Sequence, residues 1–361
     1  MTSRDRVLAA LAHRPTDRVP RLLYEEAIGY PPPVERLVRE RCAPRDPRDY
    51  FAMDLTRVVE NPSRLPLSRF APWLAPEAET ALASGQVDPW GVWWRPGSLH
   101  HFAHIESPLK AVREPAQLDE YPWPDLQQPY RFEGVSGRVA AWHERGLAVV
   151  AFAGSIFEQA WYLRGMQQFL VDMYEQPELA HALLERTAAC QRYAAEQFAR
   201  AGVDIVLTGD DVATQTGLML RIEMWREYLK PLQTATARAV KQANPACRVF
   251  YHCDGNVAAL IPDLIETGID ILNPLQPECM LPAAIKERYG DRLSFWGTVS
   301  VQKTMAFAAP EAVRAEVRER IRTVGRGGGL ILAPAHVLPP EVAWENIVAF
   351  FEAADREPLP E

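Results

Sequence analysis

The residues able to do chemistry stand just beyond short apolar runs. Gly209-Asp210-Asp211 follows 203–208, His252-Cys253-Asp254-Gly255-Asn256 follows 248–251, and Asn273 and Gln276 follow 269–272. Pro334-Ala335-His336 follows 329–333, and Ser155 and Glu158 follow 147–153. In an extended segment alternate side chains share a face, so His252 and Asp254 can face one space while Cys253 turns away. With His336 from a later run they offer two nitrogens and a carboxylate oxygen and leave a fourth position open. That is the ligand pattern of a catalytic zinc (or other divalent-metal) site rather than a structural one. Plainer roles remain open. Asp254-Gly255 can cap a helix or form a turn, and His252 can bond a neighbouring backbone group. A strand ending one residue earlier would make His252 and Cys253 the ligating pair.

Asp210 and Asp211 are adjacent, so only one points inward; Asp211 is the candidate, and either can instead cap a short turn. Glu158 lies near Trp161 and Arg164, and an ion pair with Arg164 is its structural alternative. Gly327, Gly328 and Gly329 do not form a phosphate fingerprint and read as a flexible entry into a strand. Trp90, Trp93 and Trp94 suit either a flat organic group or packing of an N-terminal layer. Ser155 lacks the His/Asp companions of acyl-enzyme chemistry.

These groups need a scaffold that brings separate strand ends together. From residue 147 strand-length runs alternate with helical segments: strands at 147–153, 203–208, 248–252, 269–273, 293–297 and 329–333. Helices are expected at 166–174, 177–201, 222–243, 256–267, 282–289, 310–324 and 340–353. Gly202, Gly268, Gly290 and Gly325 stand where left-handed helix caps are expected, and Pro177, Pro310 and Pro340 near helix starts. Strands that are apolar throughout and alternate with helices predict a parallel sheet covered by helices. With room for two more units before residue 147 and no early GxGxxG turn, the spacing favours an eight-stranded (β/α)8 TIM barrel over an open sheet. Residues 1–130 form an embellished N-terminal part and 147–354 the regular units of a single domain, 1–361. In the first part only an opening helix capped by Ser3 and a second at about 33–41 are expected firmly. A barrel of this kind carries its site at the carboxyl ends of the strands.

The chain has 361 residues, is 48% hydrophobic and 24% charged, and has a net charge of −8. No lysine/arginine cluster suited to phosphate exists, which argues against nucleic acid. No apolar stretch reaches the roughly 18–20 residues that a membrane-spanning helix needs. The N-terminus reads as an amphipathic helix and not a signal peptide. Five scattered cysteines without a CxxC pair point to a reducing, cytoplasmic setting and no disulfide framework.

Several stretches together resemble the uroporphyrinogen decarboxylase superfamily, and within it the corrinoid-linked, zinc-dependent methyltransferase branch. They are residues 4–11 with Asp17-Arg18-Val19-Pro20, Ser107-Pro108-Leu109, residues 118–125, Phe157-Glu158 through Leu163-Arg164-Gly165, and Gly209-Asp210-Asp211. Asn273-Pro274-Leu275-Gln276-Pro277, Phe295-Trp296-Gly297, and Leu332-Ala333-Pro334 with Trp344-Glu345-Asn346-Ile347 complete the set. The resemblance implies the TIM barrel. It places His252 on the histidine of the branch's His-x-Cys zinc pair, Asp254 on its cysteine and His336 near the distant cysteine. Both thiolates are thereby lost, and one carboxylate leaves a harder, more oxygen-seeking centre. The arginine-containing motif with which true decarboxylases hold substrate carboxylates is missing; residues 18–26 carry Arg21, Glu25 and Glu26 instead. The implied activity is methyl transfer between a corrinoid on a partner protein and a thiol or methoxylated small molecule. Asp211 or Glu158 would be the fourth ligand or general base, and Asn273, Gln276 and Trp296 would be cofactor-binding. Decarboxylation of a tetrapyrrole or small acid, and a non-catalytic corrinoid-binding barrel, are the competing readings. A homodimer is a candidate assembly.

Overall fold

The computed structural model describes residues 1–97 and 103–360. Its strands are β1 (Leu55–Arg57), a hairpin of β2 (Trp93–Pro96) and β3 (Ala103–Glu106), and β4 (Ala148–Phe152). β5 (Ile205–Gly209), β6 (Arg248–His252), β7 (Ile271–Asn273), β8 (Ser294–Trp296) and β9 (Leu330–Ile331) follow. β1 and β4 to β9 form one parallel sheet in that order. Residues 20–22 bridge its two edges. The Leu22 N–H donates to the Leu332 carbonyl (3.1 Å), the Leu332 N–H to Pro20 (2.8 Å), and the Asp54 N–H to Arg21 (3.0 Å). An eight-stranded barrel results, as the spacing predicts. β5, with every residue buried, needs cover on both faces, which only a barrel wall or a doubly covered sheet provides.

Where the structure differs from the periodicity, proline and capping chemistry explain it. The helix expected at 222–243 is two, Ile222–Tyr228 and Lys230–Ala243, because Pro231 lacks the N–H that a continuous helix needs. The segment expected from 256 becomes helical only at Ile261, with Pro262 in its first turn. The last helix starts at Trp344, beyond Pro340. The opening helix Ser3–Leu11 is capped by Thr2, not Ser3: the Thr2 hydroxyl accepts from the Asp5 N–H, and Asp5 reaches back to Thr2. Gly202 and Gly268 adopt the left-handed caps, whereas Gly290 and Gly325 do not.

The N-terminal motif has a structural task. Asp54, fully buried before β1, accepts from Arg6 (2.5 Å), Arg18 (2.6 Å) and the Arg21 N–H (2.9 Å). The opening helix is thereby tied to the start of β1. Among the described residues no helix is long and apolar enough to cross a membrane, and the five cysteines are unpaired.

Candidate metal centre and active-site cavity

β6 ends on His252, and its register sets the site: Gly209 of β5 lies opposite His252 on one side and Asn273 of β7 on the other. Gly209 is required there, since a Cβ would sit 2.5 Å from the His252 Cβ. Beyond the strand every backbone N–H of the next three residues is claimed. Cys253 donates to the Asn273 carbonyl (2.8 Å), Asp254 to Asp211 Oδ1 (2.7 Å) and Gly255 to Gln276 Oε1 (2.8 Å). The turn is rigid. Its side chains alternate as expected: Cys253 is fully buried, its sulfur accepting the Val212 N–H, while Asp254 turns to the histidines. The helix of this segment begins only at Ile261, so Asp254 is not its cap, and Cys253 is not paired with His252.

His336 arrives from the far side, on the segment after β9, where the Ala335 N–H bonds the Val299 carbonyl. His252 Nε2 lies 3.8 Å from Asp254 Oδ1, and His336 Nε2 lies 3.9 Å from Asp254 Oδ2. One ligand atom from each of the three residues falls within 4.8 Å of the others. Asp211 Oδ1 is 3.7 Å from His252 Nε2. Zinc–nitrogen bonds of about 2.0–2.1 Å hold tetrahedral ligands roughly 3.3 Å apart, so small side-chain rotations close the cluster around one ion.

Asn273 decides the state of His252. Its Nδ2 donates to the Trp296 carbonyl (3.0 Å), which leaves Oδ1 facing His252 Nδ1 at 2.6 Å. In the neutral imidazole the proton therefore sits on Nδ1, and Nε2 is the lone-pair nitrogen facing the cluster. Gly297, at φ +75°, admits this amide: a Cβ there would stand 2.6 Å from Asn273 Nδ2. Asn273, Gln276 and Trp296, expected to meet a cofactor, are 0, 5 and 0% exposed and lie behind the cluster. Asn273 orients His252 and Gln276 holds Gly255. Trp296 packs edge-on beneath Tyr24 and against Phe250.

Tyr24 is the residue that spacing alone does not reveal. Its ring centre is 6.0 Å from those of both His252 and His336, and its hydroxyl lies 3.3 Å from His252 Nδ1. It follows the strand at 20–22, whose apolar run is disguised by Pro20 and Arg21. Its neighbour Glu25 accepts the Leu338 N–H (2.5 Å) and so holds the segment carrying His336.

The adjacent aspartates divide as expected. Asp210 is buried: its Oδ1 accepts the N–H groups of Ile156 (2.9 Å), Phe157 (2.6 Å) and Glu158 (3.0 Å), and Oδ2 accepts from Gln233 (2.7 Å). It thus anchors the N-terminus of helix Phe157–Arg164, which carries Glu158. Arg164 does not pair with Glu158; it is buried against Asp172 (2.6 Å). Glu158 instead accepts from the Tyr162 hydroxyl (2.9 Å). Burial, then the charge of Asp211, push its pKa up to about 7. For His252 burial works against the charged form, but Asp254 and Asp211 prevail and raise its pKa. Burial lowers that of His336, helped by the neighbouring His252.

Beside the cluster opens a cavity of about 490 Å³, lined by Glu158, Asp211, His252 and His336 together with Trp90, Phe152 and Tyr162. Ser155 and Gln159 also line it, and Gln159 Nε2 has no hydrogen-bond partner among the described residues. Trp93 and Trp94 belong to the N-terminal layer; Trp94 donates to Asp88 (2.9 Å).

The family model described as uroporphyrinogen decarboxylase (URO-D) matches residues 101–357. The chain belongs to the uroporphyrinogen decarboxylase family. Curated relatives of that name include one from Coxiella burnetii, 24% identical, aligned over 97% of this chain and 94% of its own length. Another, from Chromohalobacter salexigens, is 26% identical over 97% of this chain and 96% of its own length. A solved methyltransferase from Methanosarcina mazei superposes with a TM-score of 0.66 at 18% identity, covering 98% of both chains. The likeness to these proteins thus runs along nearly the whole chain, and the strand ends that carry the cluster form the mouth of the barrel.

Proposed function

We propose that this enzyme of the uroporphyrinogen decarboxylase family is a metal-dependent methyltransferase, moving a methyl group between a corrinoid carried by a partner protein and a thiol or methoxylated small molecule. The observation that carries the reading is the His252–Asp254–His336 cluster, with His252 Nδ1 tied to Asn273 so that Nε2 is the nitrogen facing the cluster. Two imidazoles and one carboxylate suit zinc or a similar divalent ion. His252, Asp254 and His336 would hold it, with Asp211 or the substrate in the fourth position. When bound, it would polarise sulfur or oxygen and so stabilise the thiolate or alkoxide from which a methyl group leaves or to which it comes.

The chain's own residues supply the rest. Tyr24 and Asn273 fix the imidazole of His252, and Glu25 fixes the segment of His336. Glu158, with a pKa of about 7, is half protonated near neutrality and is suited to exchange a proton with the substrate heteroatom. Trp90, Phe152 and Tyr162 exclude water from the organic part of the substrate. About 490 Å³ takes a small molecule, so a corrinoid would meet the mouth from outside, presented by its carrier. The unpaired cysteines agree with a cytoplasmic setting.

The name of the curated relatives favours porphyrinogen decarboxylation instead. Against it stands the cavity wall, which among the described residues contains no lysine or arginine to receive substrate carboxylates. Arg21 is buried, pairing with Asp355 (2.6 Å) and lying over Phe351. Metal analysis decides the matter. Purified wild type should carry or take up close to one divalent ion per chain, and His252→Ala should lose it. Less than about a tenth of an ion per chain in wild type, unchanged in the variant, refutes the mechanism.

A further inference from the structure

Apart from the two histidines, the ionisable groups of the cavity wall described above are all acids. Among the described residues they are Glu60, Glu158 and Asp211, with Asp254 beside the histidines. Glu60 is neutralised from behind by Arg131 (3.1 Å), whose guanidinium is buried and also bonds Asp125. Glu158 and Asp211 have no lysine or arginine partner among the described residues. Their neighbours are aromatic: Phe152 is 49% exposed although it stands at the end of a barrel strand, and Trp90 and Tyr162 share the wall. A divalent ion held by Asp254 and Asp211 would be balanced by them, which leaves the Glu158 carboxyl without a counter-charge, and a cation seated beside it would draw it into its ionised form. A negatively charged ligand would then meet a carboxylate with no counter-charge, whereas a cation gains both the carboxylate and the aromatic faces.

We propose that the molecule this cavity accepts carries a positive charge of its own, a substituted ammonium seated against Trp90, Phe152 and Tyr162 with Glu158 as counter-ion. As the substrate class of the methyl transfer this rests on the reading above; as a statement about binding it needs only the cavity. An anionic thiol or a polycarboxylate is correspondingly a poor ligand.

The test uses two ions of similar size and opposite charge, benzyltrimethylammonium and phenylmethanesulfonate, titrated calorimetrically into zinc-free and zinc-treated protein. The cation should bind both forms at least about tenfold more tightly than the sulfonate, with a preference that shrinks as salt rises. Glu158→Gln and Phe152→Ala should each weaken the cation several-fold, with the sulfonate unchanged or improved for Glu158→Gln. Equal or tighter binding of the sulfonate, no binding of either ion, or cation binding indifferent to both substitutions overturns the proposal. Protein that takes up no zinc yet prefers the cation refutes the metal mechanism alone. Zinc uptake with a sulfonate preference refutes the charge preference alone.

Discussion

Replacing Asn273 by leucine keeps the side chain's volume and removes both of its polar contacts, the 2.6 Å bond to His252 Nδ1 and the 3.0 Å bond to the Trp296 carbonyl. Without that acceptor the imidazole is free to place its proton on Nε2, the atom that faces Asp254 and Asp211. Loss of such an orienting partner costs about 10–100-fold in metal affinity, or roughly 1.4–2.7 kcal/mol. Tyr24 bounds the effect, because its hydroxyl, 3.3 Å from the same nitrogen, is a second acceptor. Asn273→Leu alone is therefore expected near the tenfold end, and together with Tyr24→Phe near the hundredfold end. The unbonded Trp296 carbonyl should lower stability by a further ~1–3 kcal/mol. The assay is competition for Zn²⁺ against a chelating dye, with urea unfolding in parallel to establish that the variants are folded. A zinc dissociation constant within about threefold of wild type in the folded double variant refutes the reasoning.

Asp210→Ala should destabilise the protein by about 2–4 kcal/mol in urea unfolding, since three helix-terminal N–H groups and the Gln233 amide lose their acceptor at once. A loss below about 1 kcal/mol would mean that water replaces the carboxylate there. Glu25 gives a pH prediction. Burial raises its pKa from 4.5 to about 7, so its native state prefers the neutral form. The associated stability, about 3 kcal/mol, is fully present below pH 4.5 and is lost as pH rises to 7. Unfolding free energies of wild type and Glu25→Gln at pH 4.5 and 8 should therefore differ in slope by about that amount, with wild type falling more steeply. Parallel slopes would count against a buried, uncompensated Glu25.

The order of amino acids by itself determined the barrel and pointed to the candidate ligating groups. Fully apolar runs such as that of β5 are stable only when covered on both faces, and their spacing leaves room for at least one helix between each pair. The two-residue period of a strand was enough to place His252 and Asp254 on one side and Cys253 on the other, and to separate Asp210 from Asp211. Helix boundaries near Pro231 and Pro262 were less legible, because a hydrophobic period continues through a proline although the hydrogen-bond ladder does not.

Only the tertiary structure decided what holds the histidines. The register of β6 against β7 brings Asn273 to His252 across 21 positions of chain, and strand register is a property of two segments, invisible in either one. The same holds for Tyr24, delivered from a first strand disguised by Pro20 and Arg21, and for Arg164, which turned from Glu158 to Asp172. Local chemistry says which atoms can bond; which of several eligible partners arrives at 2.6 Å is settled by closing the barrel.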